Sequence, residues 1–187
     1  LSAWLASVKI SMTDLTMFAW VGMIYAIKFL WAPILDNVSI KYLSRVLGQR
    51  RSWILLSQVL IFSGLLFIPN IDPQTELGLL AIICIGIAIA SATQDIAIDA
   101  YRVEIISNKY QGAMGASYQL GYRISYLFSA AGALYLADYY SWKIAYQALA
   151  PLMLVGVITV LLIPEPFNNK PLSKVGYSFR SSILEPF

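Results

Sequence analysis

Long apolar stretches alternate with short polar stretches along most of the chain. Five stretches approach or exceed the length of about 20 residues that a helix needs to cross a bilayer core; they are residues 15–35, 53–68, 77–100, 113–137 and 144–163. Polar residues, Gly and Pro occupy the intervals between them and are typical of turns. The pattern predicts an all-α integral membrane protein with about five full transmembrane helices within residues 15–163.

Two segments flank this predicted helical bundle. Residues 1–14 read as the last turns of an earlier helix followed by an external loop, and Thr13 with Asp14 is the predicted N-cap of the first full span. Residues 164–187 are more polar and contain three basic residues. We therefore predict that this second segment lies outside the membrane.

The composition changes the range of possible functions. Hydrophobic residues make up 59% of the chain and charged residues 12%, against roughly 45–50% and about 25% in soluble domains. The 187 residues contain no His and a single cysteine, Cys84, which excludes Ser-His-Asp catalysis, His-ligated metal sites and Cys-rich zinc sites within them. No phosphate-binding Gly-rich loop is present. We predict no catalytic residue, no metal, no cofactor and no enzymatic activity.

The distribution of Lys and Arg predicts the orientation in the membrane. The segments 36–52, 101–112 and 164–187 are rich in basic residues, whereas 69–76 has none and 138–143 has one. The basic residues of the three rich segments are Lys41, Arg45, Arg50, Arg51, Arg102, Lys109, Lys170, Lys174 and Arg180. Because basic loops face the cytoplasm, we predict a multi-pass protein of an inner membrane or its equivalent, with these three segments on the cytoplasmic side. The net charge of +3 is scattered among loops, so no nucleic-acid partner is expected.

Several charged side chains fall within the predicted spans, where each costs roughly 2.5–3.5 kcal/mol on insertion scales. Arg123 lies about ten residues into its span, or about 15 Å by helical rise, near the midplane. Lys28 lies about eight residues from the cytoplasmic end of its span. Its long stem permits either a ligand contact or a structural position with the ammonium group extended toward the surface.

A further set of polar and charged residues forms a stripe on one predicted helix. Ser91, Asp95, Asp99 and Arg102 follow each other at intervals of four, four and three residues, which places them on one helical face. Two carboxylates one turn apart disfavour each other's ionised form, and a low dielectric disfavours it further. We predict that Asp95 and Asp99 bind and release a coupling proton. A purely structural ion pair between Asp99 and Arg102 is an alternative.

The span 113–137 has two distinct faces. Gln119, Tyr122 and Arg123 lie on one side and suit a water-filled cavity that receives a carboxylate-bearing or sugar-like ligand. In the alternative interpretation, Arg123 pairs permanently with Asp95 or Asp99 and stabilises the bundle. Small residues recur every fourth position on the other face and favour close helix packing; they are Ala113, Ser117, Gly121, Ser125, Ser129 and Ala133.

Several local motifs resemble those of one transporter family. Residues 28–36 (KFLWAPILD) and 48–53 (GQRRSW) resemble the loop between helices two and three of the major facilitator superfamily. Residues 91–100 (SATQDIAIDA) and 112–123 (GAMGASYQLGYR), with Pro-Glu-Pro at 164–166, are similar to AmpG-type muropeptide permeases within it. The spacer 38–47 is longer than in the usual family loop.

This resemblance implies a fold and a transport activity. The chain would form part of the N-terminal six-helix half-bundle, and residues 164–187 would begin the central cytoplasmic loop. The complete protein would be a proton-coupled symporter that imports anhydromuropeptides (GlcNAc-anhydroMurNAc peptides) across the bacterial inner membrane for cell-wall recycling. Its partners would be this substrate, protons, the lipid bilayer and the C-terminal half of the transporter.

The resemblance also assigns roles to residues. Asp36, Gly48, Arg50 and Arg51 would form the cytoplasmic signature loop. The predicted substrate contacts, which follow from the position and chemistry of the residues and not from the resemblance, are Arg123, Gln119, Tyr122, Gln94 and Lys28. A transporter of acetyl-CoA or another organic anion, from the same family branch, is an alternative. A truncated relic or a scaffold fragment that transports nothing is an alternative from another class.

Overall fold

The computed structural model describes residues 1–166, and within them every regular element is a helix. The α-helices are α1 (Ser2–Ser7), α2 (Met12–Ala19), α3 (Met23–Ala26), α4 (Ala32–Asn37), α5 (Leu43–Leu47), α6 (Gln49–Phe67), α7 (Leu77–Ile105), α8 (Gln111–Tyr139), α9 (Trp142–Leu149) and α10 (Leu152–Leu162). Short 3₁₀-helices cover Trp20–Gly22, Lys28–Leu30, Ile68–Asn70 and Asn108–Tyr110. The predicted loop 164–187 lies outside the described residues from position 167 onward.

Four segments of the described chain are long and apolar enough to cross a membrane. They are Met12–Leu30, Gln49–Asn70, Leu77–Ile105 and Trp142–Leu162, and they correspond to four of the predicted spans. The fifth predicted span is α8, which is 29 residues long and therefore about 43 Å in length. It is long enough to cross a membrane, but its polar residues make it less apolar than the other four spans.

The first span differs most from its prediction. In place of one helix over residues 15–35, the structure has α2, α3 and α4 separated by the 3₁₀ turns Trp20–Gly22 and Lys28–Leu30. Pro33 lies at the start of α4, where a missing N–H is tolerated, but it cannot support a helix that continues through it. The apolar pattern therefore locates the span correctly and misses its breaks.

The predicted N-cap of the first span is also wrong. The helix begins at Met12, and the backbone N–H of Asp14 donates to Ser11 Oγ at 3.1 Å. Ser11 Oγ in turn donates to Asp14 Oδ2 at 2.6 Å. Ser11 is thus the capping residue, and Asp14 lies in the first turn where its charge favours the helix.

Three other element boundaries differ from the predictions. The interval 36–52 contains the short helix α5, and α6 begins at Gln49, ahead of the predicted residue 53. The last span divides into α9 and α10 at Pro151, which has no N–H to continue the helix. Helix α7 extends to Ile105, beyond the predicted residue 100.

Helices α6 and α7 form the centre of the packing. A Cβ added to Gly64 on α6 would lie 2.5 Å from Cγ1 of Ile87 on α7, so a larger residue here would require the Ile87 side chain to move. Two buried apolar clusters lie along the bundle. One contains Trp4, Leu5, Ile68, Ile71, Leu80 and Cys84, and the other contains Leu35, Ile54, Ala97 and Val160. Helix α8, in contrast, has no buried residue within the described structure.

Candidate functional site

An ion pair joins the broken first span to α7. Lys28 Nζ, in the 3₁₀ turn Lys28–Leu30, donates to Asp95 Oδ2 near the middle of α7. The two side chains are 32% and 30% exposed. The second oxygen, Asp95 Oδ1, accepts a hydrogen bond of 3.2 Å from the Tyr118 hydroxyl on α8. A single carboxylate thus contacts polar groups from two other helices.

Two further polar contacts hold the broken segment against α7. The Tyr25 hydroxyl donates to Ser91 Oγ at 2.5 Å, and Trp31 Nε1 donates to Thr93 Oγ1 at 3.2 Å. Irregular backbone at membrane depth is tolerated where it is buried in protein or lines a water-filled cavity. The break in the first span therefore coincides with a row of polar contacts, as discontinuous helices do at transporter binding sites.

The lower part of the predicted stripe forms a second ion pair. Arg102 Nη2 lies 3.2 Å from Asp99 Oδ1, so these two residues form the ion pair that the alternative prediction names. The Arg102 guanidinium also lies 4.8 Å from the centroid of the Tyr118 ring, within the range of a cation–π interaction. Tyr118 consequently contacts one residue of each of the two ion pairs.

The predicted substrate-contact residues of α8 lie apart from these pairs. Gln119, Tyr122 and Arg123 are exposed, and residues 1–166 leave their face of the helix uncovered. Asp95 pairs with Lys28 and Asp99 with Arg102, so the alternative in which Arg123 pairs permanently with either carboxylate is wrong for this structure. Gln94, beside Asp95, has a buried Oε1 with no hydrogen-bond partner among the described residues.

The predicted signature residues meet at the end of the bundle where α4 and α7 end and α6 begins. Arg50 bridges two carboxylates, with Nη1 2.7 Å from Asp36 Oδ1 and Nη2 2.6 Å from Glu104 Oε1. The Arg50 side chain is 11% exposed, so most of the guanidinium is enclosed by its partners. Glu104, at the end of α7, was not assigned a role by the sequence, although an Arg in this position requires compensation by carboxylates.

Helices α6 and α10 cap each other at the same end. Glu165 accepts hydrogen bonds from the backbone N–H groups of Arg50 at 2.8 Å and Arg51 at 3.3 Å, the first turn of α6. Arg51 Nε and Nη2 donate to the carbonyls of Val160 and Leu161, near the end of α10, at 2.8 and 3.0 Å. Each charged side chain thus satisfies the free backbone groups of the other helix.

Gly48 makes this reciprocal cap possible. Its φ of +89° lies in the region that favours glycine. A Cβ at this position would lie 2.2 Å from Glu165 Cδ. The sequence identified Gly48 and Arg51 by resemblance, but the contacts of Glu165 and Tyr118 link helices that are distant in the chain and leave no local signal.

The sequence matches the Major Facilitator Superfamily over residues 3–185. It is 35% identical over 175 residues to the anhydromuropeptide permease of Escherichia coli (strain K12), covering 93% of this chain and 35% of that protein. It is 34% identical to a putative transporter AmpG 1 of Rickettsia prowazekii (strain Madrid E), covering 90% and 38%. An uncharacterized protein of Haemophilus influenzae is 41% identical, covering 89% and 38%.

The chain therefore spans somewhat more than a third of the length of these relatives. The matches, together with the apolar helices, confirm the predicted fold class: a multi-pass helical membrane protein that corresponds to part of the N-terminal half of such a transporter. The resemblance drawn from residues 28–53, 91–100 and 112–123 is confirmed as well. By fold, motifs and overall similarity, this chain belongs to the major facilitator superfamily.

Proposed function

We propose that this chain forms part of a proton-coupled symporter that imports anhydromuropeptides across the bacterial inner membrane. The name of the Escherichia coli relative, anhydromuropeptide permease, supports the substrate class. The observation that carries the proton coupling is the Lys28–Asp95 ion pair, whose two residues lie in two apolar spans. Ionisable groups at such depth are functional by default.

The ion pair suggests how a proton and an anionic substrate share one site. When Asp95 is ionised, it neutralises the Lys28 ammonium group. A proton that binds Asp95 removes this partner and leaves the ammonium group available to a carboxylate of the peptide stem. Loss of the proton on the cytoplasmic side restores the ion pair, which competes with the substrate and favours its release. The Asp99 carboxylate, one turn away, would serve as the next proton acceptor.

The remaining predicted substrate contacts fit this proposal. Arg123 supplies a fixed cation with a planar set of donors for a second carboxylate. Gln119, Tyr122 and Gln94 supply amide and hydroxyl groups that suit sugar hydroxyls and acetamido groups. The uncovered face of α8 and the partnerless Oε1 of Gln94 support an opening at this position.

The rest of the transporter would complete the site. We propose that the C-terminal half lies against the uncovered small-residue face of α8, since small residues permit close helix approach. Asp36, Gly48, Arg50 and Arg51 would act as the cytoplasmic gate, and residues 164–187 would begin the loop to the second half. Alternation between outward and inward states would then occur around a site shared by both halves.

Uptake by inverted and right-side-out membrane vesicles tests this proposal, with the protein expressed from its complete gene. Labelled anhydromuropeptide should accumulate when an inward proton gradient is imposed. Asp95→Asn should reduce this gradient-driven accumulation at least about tenfold, because the amide does not bind the coupling proton. Asp138→Asn, an exposed position at the end of α8, is the matched control and should retain uptake.

Three outcomes would contradict the proposal. Full gradient-driven uptake by the Asp95→Asn variant would remove Asp95 from the coupling. Accumulation of labelled acetyl-CoA in place of anhydromuropeptide would assign a different substrate of the same family branch. If neither compound is transported although the protein is inserted, the scaffold or relic interpretation is favoured.

A further inference from the structure

Tyr118 occupies a position that the transport proposal does not use. It is the one residue of α8 that contacts both ion pairs of α7 in the described structure: its hydroxyl donates to Asp95 Oδ1, and its ring lies under the Arg102 guanidinium. We infer that Tyr118 is a positioning residue that holds Asp95 in its ionised form, paired with Lys28. When that form is lost, α8 responds through Tyr118.

The two oxygens of the Asp95 carboxylate have partners on two different elements. Oδ2 faces the Lys28 ammonium group in the broken first span, and Oδ1 faces the Tyr118 hydroxyl at 3.2 Å. An ionised carboxylate accepts both hydrogen bonds, whereas a protonated one carries its own hydrogen and loses the attraction to the ammonium group. Protonation of Asp95 therefore changes what Tyr118 can bond to.

Arg102 restricts the Tyr118 ring from the other side. Its guanidinium lies 4.8 Å from the ring centroid and is itself held by Asp99 at 3.2 Å. The ring is only partly exposed, unlike Tyr122 and Tyr126 farther along the same helix, which are 59% and 62% exposed. The hydroxyl is thus directed at Asp95 by contacts on its ring and by burial.

The elements around Asp95 contribute further charged and titratable groups. The first span contributes Lys28 and Tyr25, and α7 itself contributes Asp99 and Arg102. The charged residues of α6, Arg50 and Arg51, lie in its first turn and are engaged at the far end of α7 and α10. In the described structure, Tyr118 is thus the α8 group that bonds to the carboxylate.

Infrared titration of the complete chain in lipid vesicles tests the inference. The carboxylic acid C=O band of Asp95 is assigned by its absence in Asp95→Asn, and its midpoint is followed against pH. Because the Tyr118 hydroxyl donates to the carboxylate, Tyr118→Phe should shift this midpoint measurably. The control Tyr135→Phe removes an exposed hydroxyl of the same helix and should leave it unchanged.

A second measurement compares the acid-minus-base infrared difference spectrum of the unaltered chain with the spectra of the variants. If Tyr118 bonds to Asp95, the acid-minus-base difference spectrum contains a tyrosine C–O band that disappears in both Tyr118→Phe and Asp95→Asn. An unchanged midpoint in Tyr118→Phe, or a difference spectrum without this tyrosine band, would overturn the inference.

The inference rests on the proposed role of Asp95 as proton carrier, but its test does not require transport. A shifted midpoint together with uptake that does not depend on the proton gradient would refute the transport proposal. It would still support the inferred role of Tyr118. Uptake that depends on the proton gradient, together with an unshifted midpoint, would refute the role of Tyr118 and leave the transport proposal standing.

Discussion

Lys28 and Asp95 illustrate how a membrane span retains charged residues. A lone charge at a helix centre costs roughly 2.5–3.5 kcal/mol on insertion scales, whereas the two side chains neutralise each other here and each remains about 30% exposed. The partial exposure limits the net gain from pairing. The pair is therefore stable enough to form and weak enough to be broken by a proton or a competing carboxylate.

The stability of this pair can be measured by a double-mutant cycle. Lys28→Met should lower the free energy of unfolding by about 1 kcal/mol because it leaves the Asp95 carboxylate without a cation. Adding Asp95→Asn should recover part of that loss, since the amide is neutral. Unfolding by denaturant in detergent micelles provides the free energies.

Lys143→Met is the matched control for this cycle. Lys143 is exposed in the first turn of α9, so its removal should change the free energy of unfolding by less than about 0.5 kcal/mol. If the losses of the single variants at positions 28 and 95 simply add in the double variant, the two side chains are not energetically coupled.

The reciprocal cap of α6 and α10 shows how two elements fix each other's ends. Glu165 receives the first backbone N–H groups of α6, and Arg51 donates to the last carbonyls of α10. Tyr101 of α7 adds a hydrogen bond from its hydroxyl to the Pro164 carbonyl at 2.8 Å. Three helices are thereby joined beside the Asp36–Arg50–Glu104 cluster.

Gly48 is the position at which this cap is most sensitive. Gly48→Ala introduces a Cβ into the space of the Glu165 carboxylate and strains a backbone with φ of +89°, so the free energy of unfolding should fall by about 1–3 kcal/mol. Gly86→Ala, in an exposed part of α7 with open space around the new Cβ, is the control.

The control is expected to change in the opposite direction. Alanine stabilises a helix interior relative to glycine by roughly 0.5–1 kcal/mol, so Gly86→Ala should be neutral or stabilising. Thermal unfolding followed by circular dichroism measures both variants. A Gly48→Ala variant as stable as the unaltered chain would show that Glu165 does not occupy the N-terminus of α6.

The limits of sequence-based prediction also appear at the level of elements. Apolar runs located every span, because about 20 apolar residues is a direct requirement of the bilayer. The break around the 3₁₀ turn Lys28–Leu30 coincides instead with contacts of Tyr25, Lys28 and Trp31 with α7, which join residues more than 60 positions apart. Periodicity within the span contains no information about such partners.

For the candidate site, the sequence predicted individual residues but not their contacts. Asp95 and Lys28 were identified because charge is unusual within apolar spans, but their pairing with each other was not. Tyr118, Tyr122 and Tyr126 follow each other at intervals of four residues, and the sequence does not distinguish among them. Only the three-dimensional structure shows that Tyr118 is the one that contacts Asp95. Function at this site depends on which helices are neighbours.

For the molecule as a whole, the antiparallel helices place particular loops at a common end. The Asp36–Arg50–Glu104 cluster and Glu165 bring the segments around residues 36–52, 101–112 and 164–166 together. The segment 71–76 lies at the other end of α6 and α7. The predicted orientation assigns the first group to the cytoplasm because it is basic.

Cysteine accessibility tests this orientation in intact cells. The single native cysteine, Cys84, is buried within α7, so the unaltered chain should react little with a membrane-impermeant thiol reagent. Gln74→Cys places an exposed thiol in the loop between α6 and α7, and Asn108→Cys places one between α7 and α8. The first should be labelled in cells with a permeabilised outer membrane, and the second only after the inner membrane is opened. Labelling in the reverse order would invert the topology and assign the Arg50 cluster to the periplasmic side, where it could not form a cytoplasmic gate.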